Sequence, residues 1–214
     1  MSSMPAVRSL TQTEVRAISR PARTFTGDFY YTHRHDGRLW LALGDVAGKG
    51  LPAAVVMAMI QEELEQRIAS CATAECDPAQ TLLRLHQFLA PLLPSNRFAT
   101  AVVGWLNDDG RLTIANGGHC PPLIVRRDGT IEEIGSTGPI LGVLPRATWT
   151  SVTTTLNEGD TLVLYSDGVT EALVDGEELG VRGLRELLAR GTAPEALLAN
   201  LQTEDDVTLV VVTR

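Results

Sequence analysis

The chain has 214 residues, 44% hydrophobic and 21% charged, which is the composition of a soluble globular protein and excludes a disordered one. That length suits one domain around one layered core. A net charge of −8 argues against nucleic acid and anionic membrane as partners, and it leaves carboxylates available for cations.

Residues 1–20 lack the apolar run of a signal peptide and read as a loosely ordered end or an edge strand. Phe29–His33 and Arg38–Leu43 flank Asp36-Gly37 and predict a hairpin, whose second strand runs into Gly44-Asp45-Val46-Ala47-Gly48-Lys49-Gly50. Pro52 suits a first helical turn, and Ala53, Met57, Ile60, Leu64 and Ile68 then recur at helical spacing. A second helix is predicted over Pro78–Leu92, with Leu82, Leu85 and Leu89 on one face, so the pair covers a sheet. Strands follow at 98–106, 112–115, 123–126, 130–134, 149–156 and 161–166, the last two around the Asn157–Asp160 turn. Short helices are predicted at 181–190 and 194–201. The β-branched run 207–213 suits a buried final strand.

Hairpins interrupted by helix pairs define an α+β chain rather than a βαβ one. Without repeat or linker, residues 1–214 are expected to form a single domain. No segment approaches the ~20 apolar residues that span a bilayer. Cys71, Cys76 and Cys120 have no framework spacing, so a reducing, cytoplasmic setting is the simpler expectation.

Gly44–Gly50 lies between a strand and a helix but is not a Walker loop. Three residues, not four, precede the Gly-Lys pair, and no Ser or Thr follows it. More informative is a recurring placement of acids at the ends of apolar strands. Asp45 ends one run, Asp167 ends Leu162–Ser166, Asp28 precedes Phe29, and Asp205 and Asp206 precede the last strand. Asp-Gly at 36–37, 109–110, 128–129 and 175–176 reads as surface turns, and Asp167-Gly168 is by itself compatible with one. As a set, however, clustered acids repel unless a cation neutralises them, and hard cations such as Mg²⁺ and Mn²⁺ prefer oxygen donors. A zinc site from Cys71, Cys76, Cys120 and His119 matches no usual spacing.

Several segments resemble, in order, the bacterial SpoIIE-like branch of the metal-dependent protein phosphatases (PPM, type 2C). They are Gly27-Asp28-Phe29-Tyr30, Leu43–Ala54, Asn116-Gly117-Gly118-His119-Cys120-Pro121-Pro122, Gly138–Val143, Gly159–Ala172 and Asp205-Asp206-Val207-Thr208. The resemblance implies a four-layer α-β-β-α sandwich, two mostly antiparallel sheets flanked by helices. It implies a protein serine/threonine phosphatase that hydrolyses phosphoserine or phosphothreonine with metal-activated water, and a catalytic set of Asp45, Asp28 and Asp167. Asp45 would bridge two Mn²⁺ or Mg²⁺ ions and the Val46 carbonyl would join them. Asp167 and Asp205 would hold one metal, with Asp206 as the alternative to Asp205, and Asp28 would act through waters or a third ion.

The substrate implied is a phosphorylated anti-anti-sigma-type regulator, with a homodimer left open. Thr26 and Tyr31 depart from the branch's pattern, and Ala47 stands where type 2C relatives outside the branch carry a His. The alternative is therefore a pseudo-phosphatase that binds a regulator without chemistry. His33, His35 and His119 are the candidate proton donors, although His119 fits a turn-shaping role beside Pro121 and Pro122. Arg20, Arg23 and Lys49 are the candidate phosphate-binding cations.

Overall fold

The structure, a computed structural model, describes residues 13–22, 24–48, 50–71, 76–94, 97–198 and 201–214. Its architecture follows from strands that are apolar on both faces. In β3 (Arg38–Val46), Leu39, Leu41 and Leu43 point to one side and Trp40 and Ala42 to the other, and all five are buried. β9 (Thr161–Tyr165) and β12 (Val207–Thr213) behave alike: Leu162, Leu164, Val210 and Val212 face inward, and Val163, Tyr165, Leu209 and Val211 face the opposite layer.

Two five-stranded sheets result. The first runs β2 (Phe29–His35), β3, β4 (Ala99–Asn107), β5 (Arg111–Gly117), β8 (Val152–Thr155). The second runs β1 (Glu14–Arg20), β12, β9, β6 (Leu123–Val125), β7 (Ile131–Glu133). Every pairing within them is antiparallel. The sheets meet over the Leu39, Leu41, Leu43, Leu162, Leu164 core. α1 (Leu51–Ala69) and α2 (Pro78–Leu89) cover the outer face of the first sheet through Ile60, Leu64, Leu82, Leu85 and Leu89. The second sheet is covered by α3 (Asp167–Thr170), α4 (Gly180–Ala189) and α5 (Pro194–Leu198) through Val169, Leu184, Leu188 and Leu197. The expected four-layer sandwich is the one found, and β1 pairs with β12 as an edge strand.

Local chemistry sets the boundaries. Asp77 caps α2, accepting from the amides of Ala79 (2.7 Å) and Gln80 (3.3 Å). The strand expected over 149–156 shrinks to β8. Trp149 Nε1 instead donates to the Pro139 carbonyl and Ser151 Oγ donates to Asp77, which pulls the first three residues out of the sheet. The Asn157–Asp160 turn does not join hairpin partners: β8 pairs with β5 and β9 with β12 and β6, so the turn crosses between sheets. The Asp175-Gly176 turn closes a small hairpin of β10 (Leu173–Val174) and β11 (Glu177–Glu178) that the sequence reading lacks.

Cys71 and Cys76 form a disulfide between α1 and α2, with Cα atoms 5.7 Å apart, and Cys120 is free. This corrects the expectation of unpaired cysteines: the turn from α1 to α2 brings two thiols five residues apart into bonding range. It also dissolves the zinc grouping. No helix among the described residues is long and apolar enough to cross a membrane.

Candidate active site

One end of the sandwich gathers the acids. β3 ends in Asp45-Val46, and its antiparallel neighbour β2 begins just after Asp28 at that same end. In the other sheet β9 ends before Asp167, and its partner β12 begins after Asp206. Asp28, Asp45, Asp167, Asp205 and Asp206 therefore line one pocket of about 160 Å³, with Gly27, Gly48, Gly50 and Glu204. Thr208 Oγ1 donates to Asp28 Oδ2 at 2.6 Å and ties the two sheets together across the pocket floor.

Glycine permits the close approaches. A Cβ on Gly27 would stand 2.6 Å from Asp45 Oδ1 and 2.8 Å from the Val46 carbonyl oxygen, so only glycine leaves these two oxygens a common open face. A Cβ on Gly168 would collide with the Asp206 carbonyl oxygen, so glycine lets the Asp167 turn pack against the 205–206 segment.

Charge in this pocket is uncompensated. Burial is the largest influence on Asp28, and with the neighbouring Asp45 charge it raises the carboxyl to about 7 against the opposing Thr208 hydrogen bond. Burial and then the Asp167 and Asp205 charges lift Asp45 to about 6. Asp167 is raised by burial and by Asp205, and Glu171 chiefly by Asp167. No Lys or Arg is among the described residues lining the pocket.

The donors are all oxygen, hard, and short of positive charge, which fits a divalent hard cation. The Gly27 cradle presents one carboxylate oxygen and one carbonyl oxygen together. Among the described residues, no three His, Cys, Asp or Glu side chains already stand as a closed ligand set. The carboxylates border a space rather than closing on it.

The two Asp residues before β12 differ. Asp206 Oδ1 is engaged by the Ala22 amide at 2.7 Å, whereas Asp205 accepts from its neighbour's amide at 2.9 Å and is exposed. Asp205 also precedes Asp206 among the charges acting on Asp45 and Asp167.

The other candidates separate clearly. His33 and His35 lie along β2 away from Asp28, roughly 16 and 23 Å at ~3.3 Å per residue. His119 is buried behind the pocket, its Nδ1 2.9 Å from Thr100 Oγ1. Burial lowers its pKa to about 4, so it is neutral near pH 7 and carries no proton to donate as an imidazolium. Reciprocal bonds with Asn116 (2.8 and 3.1 Å) make it a turn former. Arg20 is occupied by the Leu198 and Leu201 carbonyls, at 3.1 and 3.2 Å. Arg23 and Lys49 lie outside the described residues. Burial and the charges of Asp167 and Asp28 push Cys120 up to about 12, which keeps it a thiol rather than a nucleophile.

Some participants had no assignment from sequence. Thr208 sits in the Asp205–Thr208 segment, yet only its pairing across the sheets gives it Asp28 as a partner. Glu204 enters the pocket by adjacency to Asp205.

A two-sheet sandwich with helices on both faces is the fold shared with a PP2C phosphatase domain. The SiaA PP2C domain of Pseudomonas aeruginosa superposes with a TM-score of 0.78 at 20% identity, over 94% of this chain and 85% of that one. The RsbU and RsbW domains of Rv1364c from Mycobacterium tuberculosis give a TM-score of 0.80 at 26% identity, over 94% and 60%. The family model of Stage II sporulation protein E (SpoIIE) matches residues 35–214, and the chain belongs to that family. Among its relatives is the phosphoserine phosphatase RsbU of Bacillus subtilis, 29% identical over 94% of this chain and 63% of that protein. The chain thus spans under two thirds of that relative's length.

Proposed function

We propose that the chain is a metal-dependent protein serine/threonine phosphatase whose residues 1–214 act as a single catalytic domain. One observation carries this reading: aspartates from four separate chain segments share one pocket, where burial and then one another's charges raise the pKa values of Asp28 and Asp45. Similarity to a phosphoserine phosphatase supports the substrate class. By the resemblance in sequence, the substrate is a phosphorylated regulator of the anti-anti-sigma type.

In this reading Asp45 and the Val46 carbonyl hold Mn²⁺ or Mg²⁺ from the β3 end, and Asp167 and Asp205 hold it from the opposite sheet. Asp205 is preferred over Asp206 because its charge precedes that of Asp206 among those acting on Asp45 and Asp167. Asp28 is positioned beside this set by the Thr208 hydroxyl, and without cations burial and the Asp45 charge raise its carboxyl to about 7. The bound cations supply an activated water and neutralise charge on the phosphoryl oxygens.

A second reading, a pseudo-phosphatase that binds a regulator, is favoured by the unclosed ligand set. Phosphate release from a phosphoserine protein and from an aryl phosphate, with Mn²⁺ and with EDTA, separates the two. The phosphatase reading expects Mn²⁺-dependent turnover that Asp45→Ala and Asp167→Ala abolish. Equal rates in EDTA, or no turnover with any phosphorylated substrate, would end it.

A further inference from the structure

We infer that Arg97 binds the phosphoryl group of the substrate at the rim of the acidic pocket, an assignment that rests on the phosphatase reading. A phosphomonoester dianion entering a pocket of five aspartates needs a cation from the protein. The described lining residues supply none, and Arg20 is spent on two carbonyls. Arg97 is different. A Cβ placed on Gly48, a lining residue, would stand 3.1 Å from Arg97 Cζ and Nη1 and 3.5 Å from Nε. The flat guanidinium therefore lies against the backbone that borders the pocket, in space that only a glycine leaves.

Its setting is built rather than incidental. The Arg97 amide donates to the Pro94 carbonyl at 2.8 Å. The next residue, Phe98, accepts from the Ala47 amide at 2.9 Å, which fixes the segment to the Asp45 end of β3. Arg97 is half-buried, yet among the described residues its guanidinium makes no hydrogen bond and no ion pair, not even with the nearby aspartates. An anchored arginine with all its side-chain donors unspent beside a pocket is suited to two oxygens of one phosphoryl group in a bidentate pair. Lys49 directly follows Gly48 in sequence, but a lysine offers a point charge and not a fork.

The test uses the full chain and two readouts. Inorganic phosphate binding is measured by calorimetry with Mn²⁺ present, and KM and kcat are measured on an aryl phosphate. Arg97→Ala and Arg97→Met are expected to weaken phosphate binding and raise KM by about 10-fold to 100-fold, the range of a lost charged hydrogen-bond pair. kcat should change less, and half-activation by Mn²⁺ should not move. Arg97→Lys should recover part of the loss, and it also serves if the truncations fail to fold. Phosphate affinity and KM within twofold of wild type in all three variants would overturn the assignment, as would a wild-type chain that binds no phosphate. A wild-type chain that binds phosphate but never hydrolyses an ester would sink the phosphatase reading alone, and the variants' phosphate affinity would still decide Arg97.

Discussion

Asp28 and Asp160 are both buried aspartates, and they sit at opposite ends of the sandwich in opposite electrostatic states. Asp160, at the head of β9, receives Arg126 Nη1 at 2.7 Å and the amides of Asn157 and Arg127 at 2.9 and 3.0 Å. Burial alone would raise its pKa, but Arg126 and the two amides more than offset that and hold it below the usual carboxylate value. Asp28 has the Thr208 hydroxyl, no cation among the described residues lining its pocket, and the charge of Asp45 beside it, and it sits near 7. The protein completes the first carboxylate with its own donors. It leaves the second short of positive charge, which is what a site for an external cation and a phosphoryl group requires.

The largest expected effect lies at the incomplete end. Asp45→Ala and Asp167→Ala should each reduce Mn²⁺-dependent aryl phosphate hydrolysis by more than ~100-fold, beyond what outer-sphere changes around a metal produce. Steady-state rates check this, and near-wild-type activity in either variant would break the contrast. At the complete end, Asp160→Ala removes one of the two carboxylates paired with Arg126 and leaves the amides of Asn157 and Arg127 without their acceptor. It should lose about 1–3 kcal/mol of stability, a fall of roughly 2–12 °C in Tm for a chain this long. The folded fraction should keep its turnover rate, and calorimetry with an activity titration reads both.

pH separates the two ends by sign. A carboxyl raised in the fold contributes its full stability below the unfolded pKa of 3.8 and loses it as pH climbs through the folded value of about 7. Asp28→Asn keeps an acceptor for Thr208 and cannot ionise. In EDTA its Tm should match wild type near pH 4 and exceed it progressively up to pH 8, by on the order of 2 kcal/mol. His119 titrates in the opposite direction but is common to both proteins, so it cancels in the difference. Asp160, held low, instead loses its contribution only as pH falls below 3.8. A flat Asp28→Asn difference across pH 4–8 would show that the pocket carries no stored repulsion. The smallest effect belongs to Thr208→Val, which removes one hydroxyl donor and should cost about 1 kcal/mol. It should also shift the acidic limb of the kcat profile upward, because Asp28 then loses the hydrogen bond that favours its charged form.

The sequence by itself determined the strands that are apolar on both faces, because period-two alternation of Leu39–Leu43 and the β-branched run at 207–213 leave no other way to bury them. It also placed acids at strand ends, since Asp45, Asp167 and Asp205 stand where each apolar run meets polar residues. Strand partners were less legible. The Asn157–Asp160 turn looks like a hairpin loop but crosses between sheets, because Arg126 captures Asp160 from outside the local segment. The Cys71–Cys76 bond was likewise set by how α1 turns into α2. Only the tertiary structure decided that Asp28 depends on Thr208, that Arg20 is spent on carbonyls while Arg97 is free, and that Asp206 is engaged by Ala22. Those pairings join residues 49 to 184 positions apart, and their energies depend on distance and burial in space, which spacing along a chain does not encode.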